Sequence, residues 1–138
     1  MKALFATVAS AAALFAAAPA LADDHSYDAR LMAESDAAFA ELVEDRVAGE
    51  PRRCIVTFND NALRVVENVG LAYRRGDTLW VARARNPRNL DGWDVPVIER
   101  YGSRLCTNDV MRTIDRNSGM FSGVLFLDDF VPYREAEG

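Results

Sequence analysis

In residues 63–85, LRVVENVGLAYRRGDTLWVARAR, apolar side chains recur at every second position on both sides of Arg75-Gly76-Asp77. Val69, Leu71 and Tyr73 share one side of the first run. Leu79 and Val81 share one side of the second, with Trp80, Ala82 and Ala84 opposite. Alternation about a Gly-containing turn predicts an antiparallel hairpin, and Gly76 accepts the positive φ such a turn requires. The hairpin is the expected spine of a small sheet, with Trp80 in its core.

Shorter runs of the same kind surround it. Residues 54–58, CIVTF, predict a β-branched strand ending at the Asn59-Asp60-Asn61 turn. Residues 95–101 predict another, with Pro96 near its start, where a missing N–H costs least. A turn at Gly102-Ser103 returns the chain through residues 104–106. Residues 109–116 alternate Val110, Arg112 and Ile114 against Met111, Thr113 and Asp115, and Asn117-Ser118-Gly119 turns the chain again. Residues 123–131 predict the last strand. Its apolar residues lie on both sides, Val124 and Phe126 against Leu125 and Leu127, so both faces are expected to be covered. About six short strands with turn residues between them predict a mainly β fold, a small antiparallel barrel or rolled sheet.

Before Cys54 the period lengthens. Leu31, Met32, Phe39, Leu42, Val43 and Val47 recur at three- and four-residue steps, with Glu34, Asp36, Glu41, Glu44 and Asp45 between them. This predicts one N-terminal amphipathic helix, capped by Ser26 or Asp28 and ending near Val47, ahead of Gly49 and Pro51. Its apolar stripe is narrow and Ala-rich, which suits either packing on the sheet or holding a partner. The expected divisions are 1–22, a leader; 23–51, tail and helix; 52–134, the β domain; and 135–138, a frayed end, with fraying beginning at about Tyr133.

The leader changes the reading of the rest. Residues 1–22, MKALFATVASAAALFAAAPALA, carry one positive residue, an Ala-rich apolar stretch and a small-x-small end at Ala20-Leu21-Ala22. That is the order of a secretory signal peptide cut after Ala22. The apolar run is shorter than the roughly 20 residues that span a bilayer. A periplasmic or secreted protein with no membrane span after cleavage is expected. In an oxidising compartment the two cysteines, Cys54 and Cys106, predict one disulfide. The whole chain has 138 residues and a net charge of −5, and losing Lys2 with the leader makes it more acidic still. One domain fits this length. The acidity argues against nucleic-acid binding, which needs a basic face.

Little of the usual catalytic chemistry is present. Nucleophilic catalysis needs an activated Ser, Cys or Thr beside a base. The only imidazole, His25, lies in the N-terminal segment, and both thiols are expected to be oxidised. Two thiols alone do not make a four-ligand zinc site. Asn89, Asp91 and Asp94 with Gly92 show a trace of calcium-loop spacing, but the flanks read as strands and the late Glu is missing. No metal and no cofactor are expected. Asp128-Asp129 is the most visible carboxylate pair, yet neighbours on a strand point to opposite faces. Asp109 and Asp115 read as ordinary sheet-edge carboxylates. The most suggestive surface is Arg83, Arg85 and Arg88, running off the hairpin into a loop that carries Trp93. Guanidinium groups beside an indole hold anionic or sugar-like ligands. The plainer reading is a solvated strand face with Trp93 over the sheet edge.

From Cys54 onward the chain also resembles an uncharacterised family of small exported proteobacterial proteins, a domain of unknown function. The likeness rests on Cys54-Ile55, residues 64–74 (RVVENVGLAYR), residues 79–83 (LWVAR), residues 105–110 (LCTNDV), Ile114-Asp115-Arg116 and residues 130–133 (FVPY). It implies a mainly β fold and an envelope location, and no catalytic residue. Three classes of function follow. The first is a non-catalytic module that binds a protein or envelope component, expected as a monomer. The second is a small-ligand binder using Arg83, Arg85, Arg88 and Trp93. The third is an enzyme working through carboxylates.

Overall fold

The hairpin forms where the alternation places it. β4 (Gly70–Arg75) and β5 (Thr78–Arg83) pair from Gly70↔Arg83 to Arg75↔Thr78, and Gly76 turns the chain at φ 56°. The computed structural model describes residues 23–58 and 62–136. The expected signal peptide, the 59–61 turn and the last two residues lie outside the described residues. Within them, ten strands form three antiparallel sheets beside one helix.

The hairpin lies inside a five-stranded sheet of order β1-β10-β5-β4-β3. β3 (Leu63–Val66) borders β4, while β10 (Val131–Glu135) pairs with β5 and then with β1 (Arg46–Ala48). This corrects two sequence expectations. Tyr133 does not begin a frayed end; it is buried inside the sheet, against the Phe39 ring at 5.8 Å. Val47 does not belong to the helix; it pairs with Arg134. The helix, α1 (Asp23–Leu42), begins ahead of Ser26 and stops early, and Asp45 takes the left-handed φ of 58° that turns the chain into β1. The segment expected to be a loose tail around His25 is the first turn of α1.

Both faces of the hairpin are covered. On one, Leu71, Tyr73, Ala82 and Ala84 join Ile55, Leu105, Met111, Leu125, Leu127 and Phe130 in the main core, with Trp80 packed against it. On the other, Ala72, Leu79, Val81 and Tyr133 meet Ala38, Phe39, Leu42 and Val43, so the second half of α1 lies on the sheet. Val69 packs with this helix-side group and not with Leu71 and Tyr73. Asn68 at φ 57° and Gly70 at φ 149° interrupt the alternation there.

The far wall of the main core is built from two smaller sheets. β2 (Cys54–Val56) pairs with β7 (Arg104–Cys106), and the Cys54–Cys106 disulfide joins directly opposed residues. β6 (Asp94–Glu99), β8 (Val110–Asp115) and β9 (Phe121–Val124) form the third sheet, in the order β6-β8-β9. The single strand expected over 123–131 is interrupted. After β9 the chain leaves one sheet for the other: Leu125 N–H donates to Met111 O (2.9 Å), Arg85 N–H donates to Phe126 O (2.8 Å), and Asp128 N–H donates to Arg83 O (2.9 Å). Bridges Ala84↔Leu127 and Arg52↔Phe130 complete the crossing. The fold is thus mainly β but not a closed barrel. β3 runs beside β6 with no ladder between them.

Candidate functional site

The three arginines singled out by the sequence are each engaged by a carboxylate. Arg83 projects from β5 toward α1. Its guanidinium donates to Asp36 Oδ1 (2.5 Å) and Ser35 Oγ (3.2 Å) and sits 4.8 Å from the Phe39 ring. Arg88, in the 3-10 turn Pro87–Asn89, pairs with Asp28 and lies over the Tyr27 ring. Arg85 donates to Asp128 Oδ1 at 3.1 Å. Exposed pairs of this kind contribute roughly 0–1 kcal/mol each; the Arg83 pair fastens α1 to β5 and the Arg88 pair fastens it to the 3-10 turn. Burial raises the Tyr133 phenol above its ordinary pKa, against the opposing pull of Arg83. Arg85 and Arg88 do line one cleft of about 300 Å³ with Asp28, Leu31 and Met32. Trp93 is not part of it. The indole is exposed, and the Trp93 main-chain oxygen accepts from Arg116 N–H (3.1 Å) at the end of the β6–β8 ladder. Trp93 also does not line the groove that Arg88 shares with Asp91 and Asp94.

The carboxylates are committed to local structure. Asp91 Oδ1 accepts from Trp93 N–H (3.1 Å), and the buried Asp94 accepts from Asp91 N–H (3.0 Å) and Ser122 Oγ (2.7 Å). This wiring folds the 91–94 loop back on itself. Asp109 accepts from Cys106 N–H at 2.7 Å and holds the turn that follows the disulfide. Asp128 is paired with Arg85, and its neighbour Asp129 lines a groove that Arg85 also borders. Asp115 faces Asp94 across β6–β8, but its Oδ1 accepts from Ser118 N–H (2.7 Å), Asn117 N–H (3.0 Å) and Ser118 Oγ (2.8 Å). The Ser118 main-chain bond, followed by that residue's hydroxyl, lowers the Asp115 pKa below 3.8. Because the folded value is depressed, this contribution to stability is present in full above the ordinary pKa and is lost as pH falls through the lowered one. Asp115→Asn should therefore lower Tm at neutral pH and flatten part of the acid limb of a Tm-against-pH curve, the variant and the parent converging as pH falls through the lowered pKa.

The feature that sequence reasoning missed is the outer face of the third sheet. Asp94, Met111, Thr113, Gly123 and Leu125 turn inward and are buried. Period two then turns Val95, Val97, Val110, Ile114 and Val124 outward. The ladder places Val95 opposite Ile114, Ile114 opposite Phe121, and Arg112 opposite Val124, with a bulge between Thr113 and Ile114. Val110, Phe121, Val124 and Phe126 are each more than half exposed, as are Met120 and Trp93 at the margins. No element of the described residues lies over this face. Its charged residues, Glu99 and Arg112, neutralise each other.

At one end the face opens into a groove of about 580 Å³. Val110, Val124 and Phe126 form its apolar lip, Arg53 and Arg85 stand on its rim, and Asp109 and Asp129 add negative charge. No family model, curated protein or solved structure matches this chain. The signal for the face was present in the sequence as the apolar residues on both sides of 123–131. Reading them as covered on both sides was the error, because α1 lies over the other sheet.

Proposed function

We propose that this protein is an exported, non-catalytic binding module that holds another envelope protein through the outer face of the β6-β8-β9 sheet. The observation that carries the reading is the uncovered apolar face of Val110, Phe121, Val124 and Phe126. Leaving a cluster of this kind in water forgoes roughly 25 cal/mol for each Å² of apolar surface, and contiguous exposed patches mark interaction sites. β9 is also an end strand of its sheet, so one edge of its backbone is available to an added strand. The occupant that fits is an extended apolar segment of a partner, running along β9 into the groove. Its flanking charges of either sign would meet Arg53 and Arg85 or Asp109 and Asp129 on the rim. Export is supported by the leader-like residues 1–22 and by the disulfide. The likeness to small exported proteobacterial proteins belongs to the same proposal. Ligand capture by Arg83, Arg85 and Arg88 is the weaker reading, since each is already neutralised by a carboxylate.

A photo-crosslinking residue at Val124, in protein exported by its own cells, tests this. The expected result is one discrete adduct whose second component is a different protein, mapped by mass spectrometry to an apolar extended segment. Phe121→Asp with Phe126→Asp should remove the adduct without lowering Tm, because both side chains are exposed. An adduct of twice the chain's own mass would replace the partner by a second copy. No adduct at all would overturn the reading.

A further inference from the structure

One end of the fold collects basic and aromatic side chains, against the sign of the chain as a whole. Arg74 and Arg75 close β4 beside the Gly76 turn. The Arg75 guanidinium lies 4.8 Å from the ring of Phe58, and Phe58 N–H donates to the Tyr73 hydroxyl at 3.1 Å. Next along the same end, Arg100 donates to Thr57 Oγ1, and Thr57 N–H donates to Ser103 O at 2.8 Å. The turn holding Tyr101 and Arg104 is thereby fixed beside Phe58. Tyr101 is 103% exposed and Phe58 71%, so both rings stand out from the surface. Arg46 and Arg134 reach the Gly76 turn, onto Asp77 O and Thr78 Oγ1, with Glu135 paired to Arg46, and Glu99 is already paired with Arg112. With Asp77 and Glu135 set against Arg74, Arg75, Arg100 and Arg104, the described residues at this end still carry an excess of positive charge, on a chain whose net charge is −5.

We propose that this end docks the protein onto an anionic phospholipid surface, with Arg74, Arg75, Arg100 and Arg104 on the lipid phosphates and Phe58 and Tyr101 seated at headgroup depth. Guanidinium forks match phosphate oxygens. Exposed aromatic rings are at home in the interfacial layer, where one side is apolar and the other wet. The charge distribution selects a flat partner. A long flexible polyanion would wrap onto the acidic remainder and be repelled, whereas a bilayer touches one end only. This surface is separate from the outer face of the β6-β8-β9 sheet and does not depend on it: the bilayer contact stands or falls whether or not that face holds a protein.

The test is co-sedimentation of oxidised residues 23–138 with vesicles of phosphatidylcholine alone or of phosphatidylcholine with one part in three phosphatidylglycerol. Binding is expected to the second only, and to weaken as salt rises. Losing Arg75 and Arg104 should lower partitioning by about fivefold per residue. Arg75→Glu with Arg104→Glu should lower it further, and Tyr101→Ser should lower what survives at high salt. Arg75→Gln with Arg104→Gln serves if the reversal disturbs folding, with unchanged Tm as the control. Inorganic phosphate at the concentration of vesicle phosphate should not compete. Equal binding to both vesicles, no binding to either, or full competition by phosphate would each overturn the proposal. None of these outcomes bears on crosslinking at Val124.

Discussion

Replacing Cys54 and Cys106 together by serine is expected to cost about 4 kcal/mol, by the chain-entropy estimate for a loop of this length. The bridge spans 52 residues, and its two half-cystines are direct partners across β2 and β7. The magnitude follows from what the bridge reinforces. β2 and β7 have three residues each and pair only with one another, and a lone two-stranded ladder is marginal in water. Yet Ile55 and Leu105, from its centre, are buried in the main core. When the cross-link is removed, the free chain regains its entropy, and the wall carrying those two side chains is held only by its ladder and the bonds flanking it, Thr57 N–H to Ser103 O and Thr107 N–H to Arg53 O. Urea unfolding of the double variant against the oxidised parent measures the loss. A difference below about 1 kcal/mol would show that the ladder and the core hold this wall without the bond.

Gly70→Ala is the second substitution expected to be severe, at about 3 kcal/mol or more, combining backbone strain with overpacking. A Cβ at this position would stand 2.2 Å from Ala82 O and 2.7 Å from Ala84 N. Both are main-chain atoms of the neighbouring strand segment, so no side chain can move aside. The φ of +149° adds strain for any L side chain. Gly76→Ala makes the contrast. Its Cβ would meet nothing within 4 Å, so only the left-handed φ of +56° has to be met, at about 1 kcal/mol. Thermal unfolding of the two variants should separate them clearly. Equal effects would mean that Gly70 is needed for its conformation alone and that the strand gives way.

Much of the local structure was readable because its causes are local. The hairpin needed only alternation and a glycine able to turn, and the structure has its register from Gly70↔Arg83 to Arg75↔Thr78. The disulfide was legible from two cysteines behind a leader-like segment. The helix was legible as an element but not in its bounds, because Arg46–Ala48 could become a strand only with β10 to pair against. Tyr133, in β10, is kept from the expected frayed end by Ala48 of β1 on one side and Leu79 of β5 on the other. The arginines illustrate the opposite limit. Their spacing at the end of the hairpin was legible, but not that Asp36 and Asp28 reach Arg83 and Arg88 from a helix more than forty residues away.

The sequence by itself determined that this is a mainly β chain with one helix and one disulfide, since period, turn residues and cysteine count act within a strand or a turn. It did not determine which apolar faces are covered. Strand 123–131 carried apolar residues on both sides, and either side could have met α1. The tertiary structure decided that α1 lies on Leu79, Val81 and Tyr133, leaving Val124 and Phe126 in water. A side chain's preference for burial is written at its own position. Whether anything is there to bury it depends on the path of chain elsewhere, and among the described residues that path leaves one apolar face open.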